Sequence, residues 1–147
     1  MKQCLADLNF LLPVVVRAHP HHTAALAWYR EQPAETIGMC RIVQLGLIRL
    51  LGNSHVMQDQ VLSARAALDL TATLLTDERM EFWHEPIGLD DCLPRLLRYN
   101  VPTRSLVGDA YLAAFAISGK VSMVTFDSGF RQFDGLSLQL LNTSSAI

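Results

Sequence analysis

Short apolar runs that stop on an acid, an amide or a turn residue alternate along this chain with segments of helical periodicity. The runs occupy residues 3–6, 36–40, 80–84 and 121–126, with 138–141 as a terminal fifth. Between them lie 22–31, rich in helix formers, then 42–51, the longer amphipathic pattern 59–75, and the segments 89–97 and 105–118. Apolar runs this short, bounded by breakers, read as strands. Strands alternating with helices predict a parallel sheet covered on both faces by right-handed crossovers. The apolar segment after Asp7 carries Pro13 and reads as a first helix, while Gly52-Asn53 and Gly119 fall where helices are expected to stop. The fold class expected is therefore α/β.

At 147 residues the chain is the size of one domain, expected to span 1–147. Half of its residues are apolar, yet no uninterrupted apolar run approaches the ~20 residues of a membrane helix. Asp7 and Asn9 break up the N-terminal segment MKQCLADLNFLLPVVV, and no small-residue cleavage site follows, so a signal peptide is not expected and the location read from sequence is cytoplasmic. Cys4, Cys40 and Cys92 are widely spaced and odd in number, which fits buried reduced thiols better than a disulfide framework or a zinc site. The apolar excess predicts a buried surface shared with a partner, a homodimer first. A net charge of −2 provides no global basic field, so nucleic-acid binding would need a local cluster or a metal ion.

Three carboxylates take special positions in this pattern. Asp7 closes the first run, Asp127 closes the fourth in VTFDSGF, and Asp109 falls in the first turn of the helix between the third and fourth runs. In a doubly wound sheet the carboxyl ends of central strands and the amino ends of adjoining helices share one crevice, so the three are expected to converge. Oxygen-only ligands of this kind suit a hard divalent cation, Mg²⁺ or Mn²⁺. Each also has a structural reading: Asp109 as an acid that favours the helix dipole, Asp127 as the N-cap of a short helix SGFRQF.

The segments CLADLNFLL, HPHHTAALAW, CRIVQLGLIRLL, DAYLAAFAISG and VTFDSGF together resemble the PIN-domain ribonucleases that act as toxins in VapBC toxin–antitoxin pairs, and the likeness runs along nearly the whole chain. The resemblance implies a three-layer α/β/α domain with a parallel sheet of about five strands. It also implies a Mg²⁺-dependent endoribonuclease, with Mn²⁺ as the alternative ion, and a cognate VapB-type antitoxin. By position, Asp7, Asp109 and Asp127 match the family's catalytic, metal-binding acids. Asn9 and Thr125 match the polar residues that accompany the first and last of them. Where many relatives carry a glutamate, this chain has Gln44, an amide that can orient water but cannot neutralise a cation. A single Mg²⁺ held by Asp7 and Asp109, with Asp127 acting through a water and Asn9, Gln44 and Thr125 as supports, is the arrangement the resemblance favours.

Other residues read more plainly. His19, His21 and His22 cluster in sequence but lack a further ligand at zinc spacing, so they read as loop and helix-start residues, and His55 and His84 as structural. Arg17, Arg41, Arg49 and Arg104 are candidates for phosphate contact against a default of solvated surface. Trp28 and Trp83 read as packing residues. A phosphotransfer receiver would need a lysine after a late strand, whereas Lys120 precedes one. The rival that stands is a non-catalytic PIN domain that binds RNA or protein, which the amide at Gln44 would permit.

Overall fold

The computed structural model describes residues 2–97 and 106–142. Five parallel strands form one sheet: β1 (Cys4–Ala6), β2 (Ile37–Met39), β3 (Met80–Phe82), β4 (Ser122–Thr125) and β5 (Leu138–Leu140), in the order β3-β2-β1-β4-β5. Leu5 sits opposite Gly38 on one side and Met123 on the other, so β1 is the central strand. Every residue of β1, β2 and β4 is buried, as expected of parallel strands covered on both faces.

Seven α-helices accompany the sheet among the described residues: α1 (Leu8–Val15), α2 (His22–Arg30), α3 (Arg41–Leu51), α4 (Ser54–Met57), α5 (Ala64–Leu74), α6 (Leu89–Leu96) and α7 (Leu106–Gly119). The strand order steps outward from β1 to β3 and then crosses back to β4. Right-handed crossovers therefore put α1 to α5 on one face and α6 with α7 on the other, an α/β/α sandwich. In keeping with this, α1 packs on α2 and α3, α3 on α5, and α6 on α7. Buried Ala110, Ala113, Ala114 and Ala116 give α7 a small-residue surface that lets it lie close to β1 and β4. That close approach fixes where the first turn of α7 ends up.

The pattern 59–75 is not one helix. A 3-10 turn covers Gln58–Gln60, and α5 begins only after Ser63, whose hydroxyl accepts from Ala66 N at 3.1 Å. Val61, with φ −58° and ψ 135°, and Ser63, with φ −65° and ψ 162°, are extended, and this breaks the run. The single-turn α4, capped by Asn53, adds a helix that the apolar spacing does not announce. Ser105, expected to open α7, and Arg104 lie outside the described residues.

Candidate active site

Asp7 leaves the buried end of β1 and caps α1. Its backbone is extended, with φ −79° and ψ 154°, and Leu8 N donates to Oδ1 at 2.8 Å. The second oxygen, Oδ2, accepts from the hydroxyl of Thr125 at 2.7 Å, joining the ends of two neighbouring strands. Thr125 is fully buried, and its Oγ1 also lies 2.8 Å from Asn9 Oδ1 and accepts from Asp127 N at 3.0 Å. Asn9 Oδ1 in turn accepts from Phe126 N at 3.2 Å. One hydroxyl thus ties Asp7, Asn9 and the backbone of Asp127 into a single knot.

That hydroxyl has one proton and faces two acceptors, Asp7 Oδ2 and Asn9 Oδ1. When Asp7 is ionised the proton goes to the carboxylate and Asn9 keeps only Phe126 N. When Asp7 is protonated it can donate to Oγ1 and release the threonine proton to Asn9. Burial is the main force on this carboxyl. It pushes the pKa up to about 6, opposed by the bonds from Thr125 and Leu8 and reinforced by the negative charges of Asp109 and Asp127.

Asp109 sits half-buried in the first turn of α7, where burial and then the charge of Asp127 raise its pKa. Asp127 caps the 3-10 turn Ser128–Gln132, accepting from Gly129 N at 2.8 Å. The structural reading of Asp127 is correct, and Asp7 is a cap as well. In both residues one carboxylate oxygen holds a turn, which aims the group without using it up.

The three aspartates feel one another's charge, and Thr125, bonded to Asp7 and the backbone of Asp127, also touches Asn9. Gln44 is placed differently. Its amide oxygen accepts from Arg41 Nη1, one turn back on α3, and the Arg41 guanidinium lies 4.5 Å over the Phe82 ring. In sequence Arg41 is one of four arginine candidates, and the i, i+3 spacing to Gln44 is the available signal. Phe82, contributed by β3, carries none.

A buried carboxyl with two like charges nearby and only oxygen donors is an environment that favours a hard cation. Among the described residues no group of three His, Cys, Asp or Glu side chains is placed to hold a metal ion by itself. The donors suit an ion that keeps most of its own waters. The histidines do other work. His22 Nδ1 donates to the Pro13 carbonyl at 2.7 Å, His19 Nδ1 accepts from His21 N at 3.0 Å, and the His21 ring stacks on Phe126 at 4.4 Å and 6°. All three cysteines are buried free thiols, and no helix of the described residues is long and apolar enough to cross a membrane.

Comparison with known proteins identifies the family and matches the fold. The PIN domain family matches residues 4–136. Ribonuclease VapC41 of Mycobacterium tuberculosis is 36% identical over 142 residues, covering 93% of this chain and 97% of its own length. Ribonuclease VapC37 of the same organism is 29% identical over 134 residues, covering 90% and 92%. Among solved structures, Mycobacterium tuberculosis VapC20, described as a sarcin-ricin loop cleaving toxin, superposes with a TM-score of 0.67 at 17% identity, covering 88% of this chain and 94% of that one. VapBC2 from Rickettsia felis, bound to a DNA fragment from its promoter, gives a TM-score of 0.61 at 16% identity, covering 94% and 98%. The match over residues 4–136 and the identity to a VapC ribonuclease along nearly the whole chain show that this chain belongs to the PIN domain family, within its VapC branch.

Proposed function

We propose that the chain is a metal-dependent endoribonuclease, the toxin of a VapBC-type pair, which hydrolyses RNA phosphodiester bonds at the carboxyl edge of its sheet. The observation that carries this reading is the knot in which Thr125 holds Asp7 in place beside Asp109 and Asp127. Its relatives' names, Ribonuclease VapC41 and VapC37, support it. Asp7 and Asp109 are the residues that would hold Mg²⁺, or Mn²⁺ in its place, with Asp127 reaching it through a water. Once bound, the ion would neutralise phosphate charge and acidify a water for attack on phosphorus. Thr125 and Asn9 keep the Asp7 carboxylate in one rotamer, and Asp127 orients the attacking water for in-line displacement of the 3′ oxygen. Gln44 adds no charge and is tied to Arg41, which favours one ion over two.

The VapBC structures this chain resembles pair a toxin with an antitoxin, as in Rickettsia felis and Salmonella typhimurium. By extension, a VapB-type antitoxin is the partner that silences this site, and a cytoplasmic homodimer is the working form. Light scattering on the purified chain should give twice the monomer mass; a monomer at every concentration would remove the dimer.

The functional test is cleavage of a mixed tRNA and ribosomal RNA pool with EDTA, Mg²⁺ or Mn²⁺, beside an Asp109→Asn control. Discrete fragments that need metal and vanish in the control are expected. The neutral Gln44 keeps a second reading alive, a PIN domain that binds RNA or protein without cutting. Folded, antitoxin-free chain that binds RNA equally well in EDTA and cleaves in no metal would establish that reading instead.

A further inference from the structure

Beside the aspartates, the carboxyl ends of β2 and β3 open into a groove of about 440 Å³ that the chemistry of the three acids leaves unused. Its walls include Arg41, Phe82, Trp83, His84, Glu85 and Tyr111. Trp83 is pressed onto the sheet at Gly38, where an added Cβ would lie 2.0 Å from the indole ring, so one face is covered and the other is left to the groove. The polar tips of both large rings are already engaged. Trp83 Nε1 donates to Glu81 at 3.1 Å, and the Tyr111 hydroxyl donates to Glu85 at 2.7 Å. What these residues still offer a ligand is flat aromatic surface.

Arg41 adds charge at the mouth. Its guanidinium stacks over Phe82 and gives one donor to Gln44, which leaves other N–H groups free for an anion. Groove and acid site are neighbours through Cys40, which is close enough to Tyr111 as well as to Asp7 to interact electrostatically with both. Tyr111 follows Asp109 by two residues on α7, and Arg41 opens α3 directly after Cys40. β3 stands two strands, roughly 10 Å, from β1.

We propose that this groove is a nucleobase subsite, which takes the unpaired base of a single-stranded nucleotide flanking the scissile bond, with Arg41 on its phosphate. Stacking between aromatic faces with a guanidinium at the edge is how single-stranded RNA is held, and it is tolerant of sequence. A peptide segment would have used the tyrosine hydroxyl and the indole N–H as hydrogen-bond anchors, and here both are occupied from within. The subsite rests on the nuclease reading for its biological meaning, but its test does not depend on cleavage.

The chain has two tryptophans, so Trp28→Phe leaves Trp83 as the sole indole emitter. In EDTA this protein is titrated with a single-stranded oligoadenylate and with an abasic ribose-phosphate chain of equal length. The expected result is strong quenching by the oligoadenylate and little by the abasic chain. Tyr111→Ala should weaken oligoadenylate binding about tenfold or more, whereas Tyr111→Phe, which keeps the ring, should bind like its parent. Equal quenching by the abasic chain, or oligoadenylate binding seen by anisotropy with no change at Trp83, would overturn the subsite. So would Trp83 emission that responds only to an antitoxin peptide. Quenching without cleavage in Mg²⁺ would sink the nuclease and spare the subsite, and cleavage without quenching would do the reverse.

Discussion

Thr125 spends one hydroxyl on three neighbours, and this shapes what single substitutions do at the site. Asp7 gives up its proton near pH 4 in the unfolded chain but holds it to about pH 6 when folded, so its contribution to stability is present at low pH and is lost as pH rises between those values. The gap amounts to about 3 kcal/mol. In Asp7→Asn the new amide oxygen could still accept from Leu8 N, and the amide nitrogen could donate to Thr125, releasing the threonine proton to Asn9. Asp7→Asn is therefore expected to abolish cleavage and yet to melt several degrees higher than the parent in EDTA above pH 6, the advantage closing below about pH 4. Thermal scans across pH would decide; a variant destabilised at pH 8 contradicts the argument. Thr125→Val keeps the shape but strands Asp7 Oδ2 and Asp127 N, at an expected cost of about 1–3 kcal/mol by urea titration together with most of the activity. The aspartates were legible in sequence because Asp7 and Asp127 each end an apolar run and Asp109 falls in the first turn of a helix, although the first two are caps as well. The knot was half legible: Asn9 and Thr125 stood out as polar neighbours, but their sharing of one proton depends on β1 and β4 being adjacent. The tie of Arg41 to Phe82 joins separate elements and had no signal.

Among the elements, the strands were readable because each is an apolar run cut short by a breaker, although each proved shorter than the run that announced it. The stretch before α5 reads as helix in sequence because its apolar spacing, Val61 and Leu62 included, continues across the extended backbone at Val61 and Ser63. The cap at Ser63 was the visible clue. Ser63→Ala should lower stability by about 1 kcal/mol and leave cleavage untouched, which separates this helix from the chemistry. α7 is the opposite case. Ala113 is fully buried against its neighbours, and Ala113→Leu should lift the helix from the sheet, costing about 1–3 kcal/mol and displacing Asp109. A stable, active Ala113→Leu protein would show that the close approach does not position the acid. Gly38→Ala must move the indole of Trp83, so oligoadenylate binding should weaken even where Mg²⁺-dependent melting is preserved.

At the scale of the whole molecule, the cation and the fold are linked. Mg²⁺ should raise the melting temperature of the parent in proportion to the logarithm of its concentration once sites fill, and should do little for Asp7→Asn. A uniform response in both would place the ion elsewhere. Half-exposed Val56, Val61 and Leu68 on and between α4 and α5 give the molecule apolar surface for a partner to cover, which agrees with the apolar excess of its composition. The pairing of β1 with β4 has a further consequence, in the order of synthesis. Asp7 meets Thr125 across 118 positions of chain, so nothing that leaves the ribosome before β4 can contain the site. At common elongation rates that delay is roughly ten seconds. A translation product interrupted before β4 would carry no assembled site, and the activity would be withheld until that strand had been made and paired with the first.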